Sequence, residues 1–446
     1  MKILFDSFVL VMISVFLVML GEVSFYKVGH IHFRPYQIPL LIAFSIVIFK
    51  FLMNRVKIQL RLSYFLSILL IILTIAISLF KAEYPLLTLK QLLLLSLYIS
   101  IFLLIVNTCD SERKIILLHR IIIYGCFIAT VYGFVMMIIT NLPGVEREGG
   151  FIYNRPKSFF TEPNEFGQYL VFVFGYMFAE VVFRKKNTNR LIFWITFILI
   201  LLLIVPNMSR GAWLACIVII GFVFYFHNKF SVKKINIGKK VKVIFLMICF
   251  SILALLIASK YIVTNGTSVV DVISARVTSL FSGSDATSMI RFNNNLKAFN
   301  SMLENPFTGV GFGNAFIVIE ERIKDKEKEN ILGGKRNQND LIIDNKKKDN
   351  ILLPKVVGAT SSNFLADIGM EIGILGLLSF IFFIVLVIIK AVIYIKRINN
   401  PYVVVVYVGA LASFIGLIVN GITYSIHLLP FFWISAGILS VRFKNE

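Results

Sequence analysis

The sequence predicts an all-α, polytopic membrane protein with about 12 transmembrane helices and one large, partly helical extracytoplasmic loop. Three observations predict it. Of 446 residues, 58% are hydrophobic and 15% charged, with a mean hydropathy of +0.85; soluble chains carry about half apolar and about a quarter charged residues. The apolar residues gather in runs approaching the roughly 20 residues that span the hydrocarbon as helix. Lys and Arg outnumber Asp and Glu by 45 to 24, and most of the excess falls in short loops on one side, as the positive-inside rule requires. This composition excludes a cytosolic enzyme, a disordered chain and an ordinary nucleic-acid binder.

Taken in order, the spans lie near 3–20, 36–53, 62–80, 86–106, 115–140, 166–183, 191–206, 211–227, 243–263, 372–395, 402–420 and 425–441. The seventh and eighth are short, and only Asn207-Met208-Ser209-Arg210 separates them, which demands a tight hairpin. The loop 184–190 carries Arg184, Lys185, Lys186 and Arg190 and no acid, and 228–242 carries six Lys and no acid. Both are read as cytoplasmic, and counting outward from them places both termini inside as well. No small-residue cleavage site follows the first span, so it is retained. The chain then divides into spans 1–9 (1–263), an extracytoplasmic loop (264–361) and spans 10–12 (362–446). That loop holds 13 Lys/Arg and 11 Asp/Glu, so it is nearly neutral. Within it, Asp285 is a helix N-cap candidate, Ile290, Leu296, Phe299 and Leu303 recur at helical spacing, and Pro306 lies beyond the end. The stretch from Glu320 to Asn350, rich in Lys, Asn, Asp and Glu, reads as a surface insertion. Cys109, Cys126, Cys216 and Cys249 show no CxxC spacing and read as small core residues.

Polar residues at the outer face carry the chemistry, because charge beside lipid is costly and kept for function. Arg155 and Lys157 lie with Glu162 and Glu165 in the loop 141–165; Arg210 sits in the outer hairpin, and Arg291 on the loop helix with Arg276 upstream. A guanidinium keeps its charge and presents a planar fork of donors that suits phosphate oxygens. Singly, each Arg is more simply read as snorkelling to headgroups; together, arginines from three outer segments point to a lipid-linked phosphate or diphosphate. The Gly309–Gly313 run looks like a nucleotide fingerprint, but with no strand before it a tight turn after Pro306 is the better reading.

The segments RPKSFFTEPNEFGQYL (155–170), SRGAWLA (209–215), MIRFNNNLKAFNSMLENPFTGVGFGNAF (289–316) and SSNFLADIGMEIGILGLL (361–378) resemble, in order and in membrane setting, the O-antigen ligase/polymerase superfamily. The resemblance covers about 155–380. It implies a fold like the C-type glycosyltransferases and metal-independent glycosyl transfer from a polyprenyl diphosphate, with no cofactor. By motif position it implies that Arg155, Arg210 and Arg291, flanked by Arg276 and Lys157, bind the diphosphate. It further implies substrate contacts at Asn164 and Asn363. A general base must take the acceptor's proton; Glu162 is the first candidate, then Asp367 and Glu371. Ligases of the superfamily show a His where Ser362 stands here, which favours a polymerase; His427 is the one substitute.

The implied partners are undecaprenyl-diphosphate-linked oligosaccharides, membrane lipids, a chain-length regulator and a flippase, with no nucleic acid. The implied place is the bacterial inner membrane. A ligase of the same superfamily and a lipid-linked oligosaccharide flippase are the alternatives. A flippase would carry its charge along a central cavity, whereas Asp6, Lys50, Lys90, Arg120 and Glu180 are scattered here.

Overall fold

The computed structural model describes residues 6–21, 26–28, 31–55, 58–140, 155–183, 191–230, 286–315, 363–423 and 425–443. These form twelve helices longer than one turn: α1 (Ser7–Leu17), α2 (Gln37–Leu52), α3 (Leu62–Ser78), α4 (Pro85–Thr108), α5 (Glu112–Thr140), α6 (Pro163–Phe183), α7 (Leu191–Ile204), α8 (Arg210–Phe230), α9 (Ala286–Glu304), α10 (Phe364–Ile395), α11 (Pro401–Gly421) and α12 (Pro430–Ser440). Short 3-10 turns extend α1 and α3. Seven helices, α3–α6, α8, α10 and α11, are long and apolar enough to cross a membrane; α1, α2, α7 and α12 are shorter apolar helices. Eleven of the twelve spans read from the sequence coincide with these helices, and the ninth, 243–263, lies outside the described residues.

The helix starts follow from local chemistry. Asp6 accepts from the Phe8 N–H (3.0 Å) to cap α1, and Asn400 caps α11 by accepting from the Tyr402 N–H (3.0 Å). Pro85, Pro163, Pro401 and Pro430 each open a helix, where a missing N–H costs nothing. One feature departs from an all-helical chain. Strands β1 (Tyr26–Val28) and β2 (Ile31–Phe33) pair antiparallel, with Lys27 opposite His32. Three residues per strand are too few for alternation to show in a sequence.

The chain forms two compact units. One draws on Met1–Leu62, Ser96–Asp285 and Ile384–Glu446. Its centre is α6, packed along α11, with α8 against both. The α6–α11 approach depends on small residues: a Cβ at Gly409 would lie 2.8 Å from the Tyr176 Cα, and Ser413 Oγ donates to the Phe172 carbonyl at 2.5 Å. Lipid tails are as apolar as Leu, so close packing of this kind takes the place of a hydrophobic driving force between helices. The same unit buries an ionisable contact between α5 and α6, His119 Nε2 to Glu180 Oε2 at 2.9 Å. Cys109, Cys126 and Cys216 are free thiols, and burial pushes Cys109, just past α4, up to about 12, as expected of an inert core cysteine.

The second unit draws on Ser63–Leu95 and Ala286–Phe383. The turn after α9 is stitched to the α3–α4 connection. Asn314 Nδ2 donates to Thr88 Oγ1 (2.8 Å), Asn314 Oδ1 accepts from the Tyr84 N–H (3.2 Å), and the Phe312 N–H donates to Ser78 Oγ (3.2 Å).

Glu180→Ala leaves the buried His119 ring without this partner, a cost of about 1–3 kcal/mol. Glu180→Gln keeps a carbonyl oxygen for it. Thermal unfolding in detergent is expected to show a clearly lower midpoint for the Ala variant than for the Gln variant.

Candidate functional site

In the first unit the site is built around the turn between α7 and α8. Its backbone leaves the helix without leaving carbonyls bare: Asn207 N–H returns to Leu203 O (3.0 Å), Met208 N–H to Val205 O (3.0 Å), and Trp213 Nε1 reaches Ile204 O (2.8 Å). Met208 takes a φ of +55°, and Ser158 one of +51°. A non-glycine residue held left-handed costs on the order of 1–3 kcal/mol and persists only where its surroundings fix it. Here the fixing side chain is Asn207, fully buried, whose Nδ2 donates to Pro156 O (3.1 Å) and Pro163 O (2.7 Å). Arg155 completes the lock. Its Nε donates to the Asn207 carbonyl at 2.7 Å and one terminal nitrogen donates to Asn164 Oδ1 at 2.9 Å.

The segment 155–165, the start of α6 and the α7–α8 turn are thereby one rigid piece. Gly167 belongs to it, since a Cβ there would lie 2.6 Å from Asn207 Oδ1. Arg210 is the next residue but one after Met208, half-buried, at the first position of α8. Both its guanidinium and the positive end of the helix favour an anion there. Behind it Gly211 packs directly on Thr423 and Asn420 at the end of α11. Glu162 is exposed at the start of α6, Lys157 is half-buried, and Glu165 lies in the first turn.

The second unit holds Arg291, half-buried on α9, and Asn363, Asp367 and Glu371 at the start of α10. Asn363 is the helix cap: its Oδ1 accepts from the Leu365 N–H at 3.0 Å. One and two turns on, Asp367 and Glu371 are both buried. The Glu371 carboxylate faces the backbone N–H groups of Gly313 and Ala315, and its Oε2 makes no hydrogen bond among the described residues. Main-chain bonds run beside it, Val310 N–H to Met370 O (2.9 Å), Gly311 N–H to Glu371 O (3.0 Å) and Ile374 N–H to Pro306 O (2.7 Å). The turn 306–315 is therefore clamped onto α10 at a break, Gly373, whose φ is +72°. A Cβ at Gly373 would stand 2.5 Å from Pro306 O, and one at Gly309 (φ +63°) would strike the Glu371 backbone. The glycine run is thus a turn fitted to a helix break, as its position after Pro306 implied.

The structure thus joins Arg155 to Asn164 and ties both to the turn that bears Arg210. It places Glu371 and Asn363 in backbone-holding roles and leaves Glu162 as the solvent-facing carboxylate of the three base candidates. His427 is buried, 2% exposed, in the connection before α12. Arg276, Asp285 and Ser362 lie outside the described residues. Sequence reasoning missed Asn207, and with it Gln168 and Asn420, buried amides near the same turn. Gln168 Oε1 and Nε2, Asn207 Oδ1 and Asn420 Nδ2 make no hydrogen bond among the described residues. The available signal was a carboxamide inside or at the end of an otherwise apolar run.

Helices that cross a membrane, with polar side chains pinning two breaks at helix ends, define a multi-pass membrane protein whose polar chemistry sits at those ends. Residues 195–381, somewhat under half of the chain, match the Wzy_C family model, O-antigen ligase. The match takes in Arg210, α9, the glycine turn and the first half of α10. It agrees with the O-antigen ligase/polymerase superfamily and supports glycan handling of the ligase or polymerase type. No curated protein matches the chain.

Asn207→Ala removes both donors that hold the Pro156 and Pro163 carbonyls, at about 1–3 kcal/mol. Asn207→Asp keeps the shape but lacks the donors. Both variants are expected to unfold at similarly lowered temperature; an Asp variant as stable as the original would show that the amide donors do not matter.

Proposed function

We propose that the protein is a polysaccharide polymerase. It transfers a growing glycan from polyprenyl diphosphate to the sugar of a lipid-linked repeat unit, at the outer face of the bacterial cytoplasmic membrane. The observation that carries this reading is the placement of Arg210. A permanently charged fork stands at a helix N-terminus, on a turn that Asn207 and Arg155 hold rigid. Preorganised donors of this kind stabilise charge that develops on a departing diphosphate. The O-antigen ligase family match supports the chemical class, and Ser362 in place of a ligase histidine favours the polymerase within it.

The reaction balances without a cofactor. An acceptor hydroxyl attacks the anomeric carbon of the donor sugar, and the carbon–oxygen bond to the diphosphate breaks. The electron pair leaves with the polyprenyl diphosphate toward Arg210. The hydroxyl proton passes to Glu162, whose exposed carboxylate is free of the burial that encloses Asp367 and Glu371. Arg155 acts through position: its guanidinium donates to the Asn207 carbonyl and to Asn164 Oδ1. Lys157, on the same segment as Arg155, is a further diphosphate contact.

The test is reaction of the purified protein with a defined polyprenyl-diphosphate repeat unit, read as a ladder of chain lengths. Arg210→Lys keeps the charge but loses the two-pronged contact, and is expected to lower the rate by about tenfold or more, as the loss of one charge-assisted bond would. Glu162→Gln is expected to lower the turnover number while leaving donor binding intact. No ladder from the unaltered protein, or full activity in Arg210→Lys, overturns the proposal.

A further inference from the structure

Helix α9 is inside out for a helix of a water-facing domain. Its inward side carries Asn294, Ala298 and Ser301, all buried, and Ala298 packs in a small core with Ala315 and Met370. Its outward side carries the large apolar residues. Phe292 is 68% exposed, Leu296 49%, Phe299 51% and Leu303 56%, and Phe307, just past the helix, is 69% exposed. At 3.6 residues per turn, Phe292, Leu296, Phe299 and Leu303 fall within an arc of about 60°, while the buried trio lies opposite. Asn293, Asn300 and Glu304, also exposed, run along one border of the stripe. Water would select the reverse arrangement.

What the stripe faces follows from where the helix is tied. Its C-terminal turn leads through Pro306, which accepts from the Ile374 N–H, and Val310 bonds to Met370. Ile374 begins the uninterrupted apolar run of α10, after the break at Gly373. Ile374, Leu375 and Leu378 on that run are themselves exposed, as side chains against lipid are. The C-terminal end of α9 is therefore tied to α10 at the point where its long apolar run begins.

We infer that α9 is an interfacial helix whose Phe292–Leu296–Phe299–Leu303 face is sunk among the acyl chains of the leaflet at the N-terminal end of α10. By the charge pattern of the loops this is the outer leaflet. The occupant is bilayer lipid; a protein segment or a second copy of the chain would cover the stripe in a different way. An amphipathic helix seated so lies along the headgroup–acyl boundary. Asn293, Asn300 and Glu304 then line the water side, and Arg291, beside Phe292, stands at the depth of lipid phosphates. The inference concerns the seat of this helix and holds whether or not the glycosyl-transfer reading does.

The test uses the full-length protein in vesicles of phosphatidylethanolamine and phosphatidylglycerol. A nitroxide is placed singly through Phe292→Cys, Leu296→Cys, Phe299→Cys or Leu303→Cys, with Asn293→Cys and Asn300→Cys as controls. Label taken up by the unaltered protein sets the blank. Collision with oxygen, which concentrates in hydrocarbon, is compared with collision with a water-soluble nickel chelate. The expected result is an oxygen-to-nickel ratio several-fold higher at the four stripe positions than at the two asparagines. Two results overturn the inference: nickel access at the stripe equal to that at the asparagines, or low access to both agents at all four stripe positions, the mark of a protein cover.

Discussion

A peptide group that leaves the helix near lipid has no water to turn to, so its N–H and C=O must be matched by the protein itself. Each of the two breaks that carry the candidate residues answers this constraint in part with a buried side chain. Asn207 supplies two donors to the carbonyls of Pro156 and Pro163, and the buried Glu371 carboxylate stands against the N–H groups of Gly313 and Ala315. The pairing has a chemical logic. A carboxamide donates where carbonyls need partners, and a carboxylate accepts where N–H groups do. Remove either side chain and the irregular backbone becomes a set of unmatched polar groups at the membrane boundary.

The proposed chemistry draws on the same rigidity. A guanidinium contributes to catalysis in proportion to how little it must reorganise as charge develops. Arg210 is one residue beyond Ser209 in a turn whose strain at Met208 is held by Asn207. Arg155 spends two of its N–H groups on that turn and on Asn164, which makes it as much a part of the mount as of any anion site. Polar residues in such a membrane protein divide between those that hold the backbone and those that meet the substrate.

This division explains what was legible in the sequence. Span positions were, because a run of apolar residues is a direct consequence of the solvent: the predicted 86–106 became Pro85–Thr108, and 402–420 became Pro401–Gly421. The turn after Pro306 was legible too, since Pro ends a helix and glycines permit the left-handed backbone that Gly309, Gly311 and Gly313 adopt. The roles of Asn207, Asn363 and Glu371 were not. An Asn that caps a helix, an Asn that pins a turn and an Asn that holds a sugar look alike in one dimension. Only the partner distinguishes them, and for Asn207 the partners are 44 and 51 residues away. The inverted polarity of α9 was hidden for a related reason: helical spacing of Leu296, Phe299 and Leu303 shows a face but not which way it looks.

Hydrogen exchange tests the central claim, that a buried side chain helps to hold each break, most directly. In the unaltered protein the Gly311, Gly313 and Ala315 amides are predicted to exchange slowly. In Glu371→Ala the Gly313 and Ala315 amides, which lose the carboxylate they face, are predicted to exchange much faster, while Gly311, bonded to the Glu371 main chain, keeps more of its protection. Unchanged exchange at Gly313 and Ala315 in that variant would contradict the account.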